Sequence, residues 1–304
     1  MEMIVRQLSG LGNQMFQYAA GIFYSAQCGA QMRLIVDPPQ KSHSHGHPRP
    51  FLMSHFAITA PHRELNAVDR LLFLTENRRL KPSMGAFLKR RLLQRGLGVQ
   101  IVTESLEQRF RFQPELPLDP KIRTIYLLGY WQVHNIADEV SATVRREFAF
   151  RDQPSGRNLD MLRMIRNAEN SVSIHMRRGD YTLQAEGNVA LAVDYYARAI
   201  GEFKAALRDP TFFVFSDDIA FARENLGGNV SAVFIDHNGP SSAHEDLRLM
   251  SSCRHHVIAN STFSWWGAWL NPANDKIVIA PRQWRVANCP PENDLMPSDW
   301  RLMD

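Results

Sequence analysis

Apolar residues alternate with other residues from Ser171 to Arg177, and a second arginine, Arg178, follows. A guanidinium group donates two parallel hydrogen bonds, a geometry that suits phosphate oxygens. If the run is a strand, its side chains alternate between two faces, so that His175 and Arg177 share one face. A buried histidine beside unpartnered arginines would be costly, which favours an anion site over a structural turn. The pattern predicts a phosphate-binding site where this strand ends.

A second anion site is indicated where Asn260, Ser261, Thr262 and Phe263 follow the apolar residues 257–259. Small hydroxyl residues open a helix there, so hydroxyls, backbone N–H groups and the positive helix end converge. Two such sites in one sheet predict a nucleotide diphosphate as ligand. The sequence has neither a phosphate-loop lysine motif nor an Asp-x-Asp metal motif. We therefore expect arginine, and no metal ion, to neutralise a departing diphosphate.

Acidic residues near two other strand ends each have two interpretations. Asp218, with Asp217 before it, could bind ribose hydroxyls or could cap the helix that follows. Asp246 could accept both donors of a guanine edge with one carboxylate, but compensation of a helix dipole is the more common role of such a residue. Ser242 and Glu245 have the spacing of a capping box for that helix.

The segment Gly10-Leu11-Gly12-Asn13-Gln14 begins like a dinucleotide-binding fingerprint, with Asp37 near the expected place of a ribose-binding acid. Met15 occupies the third glycine position, which disfavours an NAD-dependent oxidoreductase. One alternative is a plain turn in which Asn13 and Gln14 cap a helix. The other is that the glycines allow the backbone to approach a ligand, because they carry no side chain.

The hydropathy pattern predicts the elements that position these residues. Short apolar runs alternate with amphipathic runs from residue 159 to residue 280, which predicts a doubly wound parallel sheet with ligands at the carboxyl ends of its strands. Residues 4–36 predict a β-loop-α-β unit, and residues 133–148 a helix. Residues 38–62 are expected to form an irregular loop, and 276–280 the last strand.

The polar, turn-rich residues 152–157 predict a boundary between an N-terminal domain, residues 1–153, and a C-terminal domain, residues 154–304. The chain has 304 residues, of which 44% are hydrophobic and 22% charged, a composition that excludes a disordered protein. A net charge of +4 is too small to argue for nucleic-acid binding.

Three widely spaced cysteines give neither a disulfide framework nor metal-ligand spacing, so a reducing compartment is expected. There is no run of 18 apolar residues and no signal-peptide pattern, which predicts a cytoplasmic protein.

Basic residues between Arg78 and Arg95 enclose apolar residues at helical spacing. This pattern is typical of a solvated helix face or, alternatively, of a helix that rests on an anionic membrane. The alternating histidines of residues 43–47 lack an accompanying carboxylate or cysteine, which favours an exposed polar loop over a metal site.

Five motifs, in their order along nearly the whole chain, resemble the alpha-1,2-fucosyltransferases. Those inverting enzymes move fucose from GDP-fucose to a galactose hydroxyl. The motifs are Gln7–Gln14 (QLSGLGNQ) with Met15–Ala19 (MFQYA), His175–Tyr181 (HMRRGDY), Phe215–Asp218 (FSDD), Asp246–Cys253 (DLRLMSSC) and Asn260–Asn271 (NSTFSWWGAWLN). The resemblance implies an α/β fold of the GT-B type, in which two Rossmann-like lobes face a cleft. It also implies that GDP-fucose is a substrate and that neither a metal nor another cofactor is required.

By this resemblance, Arg177 would contact the β-phosphate and the leaving oxygen, His175 would lie beside the ribose or base, and Asp246 would read guanine. Asn13 would approach the reacting centre from the N-terminal lobe. The residues expected to bind the donor are Gly12, Gln14, His175, Arg177, Arg178, Asp218, Asp246, Asn260, Ser261, Thr262 and Phe263, of which Ser261, Thr262 and Phe263 would cradle the diphosphate.

The general base is expected to be Asp180, which leaves the arginine strand at the cleft, or else Glu186. Alternatively, Asp180 only orients the neighbouring arginines. The expected acceptor is a galactose-terminated oligosaccharide or a lipid-linked glycan, with peripheral membrane contact and no nucleic acid. The competing functions are transfer of another GDP-sugar, fucose transfer in a different linkage, and GDP-sugar binding without catalysis.

Overall fold

The computed structural model describes residues 1–37, 50–73, 94–105, 110–119, 121–179, 190–228, 231–284 and 294–304. These residues form two separate β-sheets, one of five strands and one of six. Every pairing between neighbouring strands in the two sheets is parallel. Within the described residues, no helix combines the length and the hydropathy that crossing a bilayer requires.

The first sheet has the strand order β3-β2-β1-β5-β4. Its strands are β1 (Glu2–Gln7), β2 (Gln31–Val36), β3 (His62–Glu64), β4 (Val99–Thr103) and β5 (Thr124–Leu128). Its helices are α1 (Leu11–Cys28), α2 (Ala67–Phe73), α3 (His134–Glu139) and α4 (Ser141–Glu147). Because β1 lies between β2 and β5, the connections turn to opposite sides of β1. The carboxyl ends of β1 and β5 therefore border a crevice.

The second sheet has the strand order β8-β7-β6-β9-β10-β11. Its strands are β6 (Ser171–Met176), β7 (Thr211–Ser216), β8 (Ala232–Ile235), β9 (His255–Val257), β10 (Val278–Pro281) and β11 (Arg301–Met303). Its helices are α5 (Gly156–Asn167), α6 (Val193–Ala206), α7 (Ile219–Leu226), α8 (Ala243–Ser252) and α9 (Thr262–Leu270). This is the strand order of a doubly wound dinucleotide-binding sheet, whose switch point lies between β6 and β9. The predicted doubly wound parallel sheet is confirmed.

Helices α1 and α9 join the two sheets through one apolar core. The Phe16 ring of α1 lies 4.6 Å from Trp265 and 4.9 Å from Trp266 of α9, measured between ring centroids. Helix α1 ends at Gly29, whose φ of 62° is the left-handed conformation that glycine adopts without strain. The shared core holds the N-terminal ends of α1 and α9 together, and several of the predicted site residues lie at those ends.

Three expectations about the elements are wrong. The predicted helix of residues 133–148 is two helices that meet at Val140. Apolar residues recur every four positions on both sides of Val140, so periodicity cannot reveal the break. A further strand, β11, follows residues 276–280; it is a three-residue edge strand with exposed side chains, which carries little hydropathy signal. The expected loop of residues 38–62 contains a 3₁₀ turn at Met53–His55 and the start of β3.

Two segments of the sequence analysis fall wholly or mostly outside the described residues: the histidines of 43–47 and the basic stretch of 78–95. The metal-site and membrane-contact interpretations of these segments stay predictions. The domain boundary between residues 153 and 154 is also retained as a proposal. It falls between the last strand of the first sheet and the first strand of the second.

Candidate functional site

The two predicted anion sites flank the switch point of the second sheet. Arg177 follows β6, and residues 258–261 lead from β9 into α9. Strands β6 and β9 are neighbours, so their carboxyl ends are separated by roughly 4.8 Å. In open sheets of this kind, ligands bind in the crevice at that position. The topology therefore brings the arginine turn and the start of α9 to one crevice.

Asp217, which follows β7, holds the turn after β6. Arg177 forms an ion pair with it, with 3.0 Å between Nη1 and Oδ2, and the backbone N–H of Arg178 donates to Oδ1 at 2.9 Å. A side chain on Gly179 would place a Cβ 2.6 Å from the same carboxylate, so a substitution there would displace the Asp217 side chain. The sequence analysis considered Asp217 only as a ribose ligand or a cap. It did not find the role of orienting Arg177, because that role depends on the pairing of β6 with β7.

Asp218 performs the capping role that was one of its two interpretations. Its Oδ1 accepts a hydrogen bond from the Phe221 backbone N–H at 3.2 Å, at the start of α7. Its Oδ2 lies 3.5 Å from Arg178 Nε, and the guanidinium of Arg178 stacks on the Phe221 ring at 3.4 Å. Ribose binding by Asp218 stays a prediction.

His175 is buried on β6, with its ring 5.6 Å from the ring of Phe263 on α9. Burial, and secondarily the charge of Arg177, lowers the pKa of His175 to about 3. The imidazole is therefore neutral at physiological pH. It offers a ligand a neutral ring and takes no part in charge neutralisation.

Helix α9 begins without a side-chain cap. Ser261 is the N-cap residue in an extended conformation, and its hydroxyl makes no capping hydrogen bond. The Asn260 Nδ2 group donates to the Trp284 carbonyl at 3.2 Å and so anchors the loop before the helix. A helix start carries backbone N–H groups without intrahelical partners, which suits an anion. Anion binding at this helix start stays a prediction.

Asn13, in the first turn of α1, joins the switch points of the two sheets. Its Oδ1 accepts hydrogen bonds from Thr262 Oγ1 at 3.1 Å and from Gln132 Nε2 at 2.8 Å, while its Nδ2 donates to Ser9 Oγ at 3.0 Å. Gln132 lies in the loop that follows β5, and the sequence analysis missed it. A lone glutamine carries no motif, and only its position after β5 could have drawn attention to it.

Gly12 is required by the approach of the two sheets. A Cβ at this position would lie 2.5 Å from the backbone of Thr262 and Phe263. In addition, Trp266 Nε1 donates to the Gly12 carbonyl at 3.1 Å. The close neighbour of this glycine in the structure is thus α9, and its expected role in donor binding stays a prediction.

Gln14 makes hydrogen bonds to the backbone with both ends of its amide. Its Nε2 donates to the carbonyls of Ser9 at 2.9 Å and Pro50 at 3.0 Å, and its Oε1 accepts from the Leu52 N–H at 3.2 Å. The alternative that Asn13 and Gln14 cap α1 is wrong, because Gly10 is the N-cap residue and no side chain caps the helix. Donor binding by Gln14 stays a prediction.

Asp37 forms a two-bond ion pair with Arg6, with distances of 2.9 Å and 2.8 Å. This pairing occupies the carboxylate that a dinucleotide-binding site would direct at a ribose. It therefore weighs against the NAD-dependent oxidoreductase that Met15 already disfavoured.

Asp246 lies in the first turn of α8 and is partly buried. Its Oδ1 accepts a hydrogen bond from Asn238 Nδ2 at 2.7 Å. Burial raises the pKa of Asp246 to about 6. The predicted capping box is wrong, because the Ser242 hydroxyl bonds the backbone of Gly239 and does not cap α8. The 3₁₀ turn directly before α8 turns the serine hydroxyl away from the helix.

Asp180 and Glu186, the two residues predicted to act as general base, lie outside the described residues. Across the part of the chain that the structure describes, no group of three or more His, Cys, Asp or Glu side chains could hold a metal ion. The expectation that the reaction requires no metal stays a prediction.

The sequence aligns with named glycosyltransferases over more than half of its length. An O-antigen biosynthesis glycosyltransferase of Escherichia coli, WbnK, is 28% identical over 301 residues, which cover 92% of this chain and 93% of the relative. An alpha-1,2-colitosyltransferase of Escherichia coli is 29% identical over 294 residues, covering 92% and 91%. The galactoside alpha-(1,2)-fucosyltransferase 2 of Oryctolagus cuniculus is 29% identical over 184 residues, covering 58% and 49%.

Solved structures share the fold at low sequence identity. The fucosyltransferase NodZ from Bradyrhizobium superposes with a TM-score of 0.53 at 16% identity, covering 90% of this chain and 94% of NodZ. A FUT1 mutant of Arabidopsis thaliana in complex with GDP gives a TM-score of 0.53 at 13% identity, covering 100% and 76%. The expected GT-B arrangement of two parallel-sheet lobes is confirmed. The model of glycosyl transferase family 11 matches residues 115–303, more than half of the chain, and the chain therefore belongs to this family.

Proposed function

We propose that this glycosyltransferase moves fucose from GDP-fucose to the 2-hydroxyl of a terminal galactose, with inversion at the transferred carbon. The observation that carries the proposal is the meeting of Arg177, the uncapped start of α9 and Asn13 where the switch points of both sheets face each other. Family membership supports sugar transfer, and the names of the relatives support an alpha-1,2 linkage.

The diphosphate lies between Arg177 and the first turn of α9 in this proposal. A guanidinium has five N–H donors and can contact more than one phosphate oxygen, and its ion pair with Asp217 holds it at the crevice. Each charge-assisted hydrogen bond contributes about 1.5–3 kcal/mol. The backbone N–H groups at the N-terminus of α9 add donors that are aimed at the same charge.

The guanine base lies farther along the same edge, towards β8. Strand β8, whose following loop leads to Asp246, lies two strand spacings, roughly 9.6 Å, from β6, and this edge has room for a ribose between phosphate and base. With a pKa of about 6, Asp246 is mostly ionised at neutral pH and can accept the two neighbouring donors of guanine.

In the reaction, the galactose hydroxyl attacks the fucosyl carbon on the face opposite to GDP. Negative charge develops on the β-phosphate as the bond to fucose breaks. Arg177 and the positive end of α9 stabilise this charge without a metal ion, and preorganised donors of this kind contribute about 2.7–4 kcal/mol each. Chelation by EDTA is therefore expected to leave turnover unchanged.

Asp180 takes the proton of the attacking hydroxyl, with Glu186 as the alternative base. The variants Asp180→Asn and Glu186→Gln remove each carboxylate at nearly constant size. An active Asp180→Asn protein would exclude Asp180 as the base and leave Glu186. If both variants stay active, the loose transition state requires little help from a base.

The proposed acceptor is a galactose-ended oligosaccharide or a lipid-linked precursor of a surface polysaccharide, because one relative is named for O-antigen biosynthesis. The basic stretch of residues 78–95 would then contact the anionic inner face of the membrane. Co-sedimentation with anionic liposomes is expected to fall when Lys89, Arg90 and Arg91 are neutralised. Unchanged co-sedimentation would contradict the membrane contact.

The second candidate is transfer of colitose, the 3-deoxy form of fucose, since a relative that covers 92% of this chain is named an alpha-1,2-colitosyltransferase. The deciding experiment incubates the protein with GDP-fucose or GDP-colitose and a panel of galactosides, followed by linkage analysis. We expect an alpha-1,2-fucosylated galactoside and free GDP. Preference for GDP-colitose, or a different linkage, would replace the proposal. Binding of GDP without release of either product would indicate a non-catalytic GDP-sugar-binding protein.

A further inference from the structure

The loop after β8 and helix α5 support Asp246 through a network of amide groups. Asn238 Nδ2 donates to Asp246 Oδ1 at 2.7 Å. Asn238 and Asn158 also exchange two hydrogen bonds, at 2.9 Å and 3.0 Å, each amide donating to the oxygen of the other. His237 Nε2 donates to the same Asn158 oxygen at 2.8 Å. Two separate segments of the chain, α5 and the loop after β8, thus support this carboxylate through Asn238, which contacts it.

These bonds determine which way the Asn238 amide faces. With Asn238 Nδ2 facing both the Asp246 carboxylate and the Asn158 oxygen, that oxygen accepts from His237, whose Nε2–H is then the donor. Asn158 must then present its oxygen to His237 and its NH₂ group to Asn238. A flipped Asn238 would place its oxygen against the Asp246 carboxylate, where two acceptors repel. The network therefore directs an N–H group at one oxygen of Asp246.

The hydrogen bond from Asn238 lowers the pKa of Asp246, whereas two other features of the site raise it. Burial raises the pKa of Asp246, and the neighbouring Glu245 carboxylate raises it further, whereas the bond from Asn238 lowers it. The other charged groups around Asp246 are matched by partners: Glu245 by Arg248 on the same helix, and Asp236 by Arg157 and Arg223. Among the described residues, Asn238 is the group shown to hold the Asp246 pKa down.

We propose that Asn238 is a positioning residue for nucleobase recognition, which keeps Asp246 ionised and correctly turned to accept both donors of guanine. The inference rests on the proposed use of a GDP-sugar. An ionised carboxylate has about four acceptor positions, enough for Asn238 and for the N1–H and N2–H₂ groups of guanine. A protonated Asp246 would turn an O–H group towards one of those donors and lose that bond.

The test measures the affinity for GDP and for inosine diphosphate, which lacks the 2-amino group, between about pH 5 and pH 9. In the unmodified protein we expect GDP to bind roughly tenfold more tightly than inosine diphosphate at neutral pH. We also expect this preference to disappear as pH falls through about 6, where Asp246 takes up a proton.

The variant Asn238→Leu keeps the size of the side chain and removes the donor. It is expected to shift the midpoint of the GDP preference upward by about one pH unit, with the preference restored at alkaline pH. The variant Asn238→Asp adds a second carboxylate and is expected to shift the midpoint further. It also serves as the test if Asn238→Leu does not fold. The control Asn225→Leu, which removes an exposed amide on α7, is expected to leave the midpoint unchanged.

Each outcome separates this inference from the proposed function. If Asp246→Asn removes the preference for GDP while both Asn238 variants keep the original midpoint, the role of Asn238 is refuted and the reading of guanine by Asp246 stands. If Asp246→Asn leaves the preference for GDP intact, another residue recognises guanine. The role of Asn238 and guanine recognition by Asp246 are then both refuted. Loss of GDP preference that alkaline pH does not restore would show Asn238 to be structural only.

Discussion

The polar side chains on the two sides of the crevice have different partners. On the second sheet, they bond mainly to other side chains, as in the pairs Arg177–Asp217 and Asp246–Asn238. On the first sheet, Gln14 bonds to the backbone of the loops around it. A charged side-chain pair at the mouth of a crevice can admit a charged ligand, because the ligand supplies comparable bonds. An amide that satisfies buried backbone groups cannot be exchanged in this way, since each unsatisfied group costs about 1–3 kcal/mol.

From this difference we infer that side chains of the second sheet contact the substrate, whereas those of the first sheet stabilise the fold. Two exceptions lie on the first sheet: the Asn13 amide bonds side chains from both sheets, and Arg6 pairs with Asp37. The close packing of Gly12 against α9 then fixes the distance across which the two sides act. Substitutions on the second sheet should change turnover, whereas those on the first should change stability.

The largest effect is expected for Arg177→Ala. Loss of a preorganised donor to the β-phosphate should lower kcat by roughly 100-fold or more while folding stays intact. Steady-state kinetics and thermal unfolding measure the two quantities. The control Arg163→Ala removes an exposed guanidinium on α5 and should leave both unchanged. Near-normal turnover of Arg177→Ala would contradict its phosphate role.

Gly12→Ala should separate α1 from α9. The added Cβ would meet backbone atoms at 2.5 Å, and overpacking of this kind destabilises by about 1–3 kcal/mol. Gly201→Ala is the matched control on α6, where no atom lies within 4 Å of the added Cβ, and it should stabilise slightly. Chemical denaturation measures both changes. A Gly12→Ala protein of unchanged stability would show that the two sheets do not pack closely there.

Gln14→Ala should reduce the free energy of unfolding by about 1–3 kcal/mol, because the Leu52 N–H and two carbonyls lose their partner. Below its unfolding temperature, the variant should keep a near-normal KM for GDP-fucose. Gln27→Ala, which removes an exposed amide of α1, should change stability by less than about 0.5 kcal/mol. A large rise in KM without loss of stability would instead place Gln14 at the donor.

The smallest effect is expected for Asp217→Asn, which keeps the shape of the side chain and removes its charge. The pair with Arg177 is about a quarter exposed, and such pairs contribute about 0–1 kcal/mol. We therefore expect turnover to fall less than tenfold, with Asp209→Asn, a fully exposed site, as the unaffected control. A loss as large as that of Arg177→Ala would place Asp217 at the reacting atoms.

The sequence predicts the second sheet well because parallel strands buried on both faces read as continuous apolar runs, as Phe212–Phe215 of β7 does. It also predicts which loops follow the carboxyl ends of the strands, the edge at which ligands bind in sheets of this kind. It could not predict the orientation of Arg177 by Asp217 or the bond from Gln132 to Asn13, which join residues 40 and 119 positions apart. Such contacts depend on strand order, and strand order is a tertiary property.

A crystal structure with bound GDP would locate the diphosphate. We predict that the β-phosphate lies between β6 and β9, within about 2.7–3.2 Å of the Arg177 guanidinium and of donors in the first turn of α9. We also predict that the guanine edge lies at Asp246. A nucleotide bound at another edge of the sheet, with Arg177 still held by Asp217 and no ligand contact at Thr262, would contradict the account.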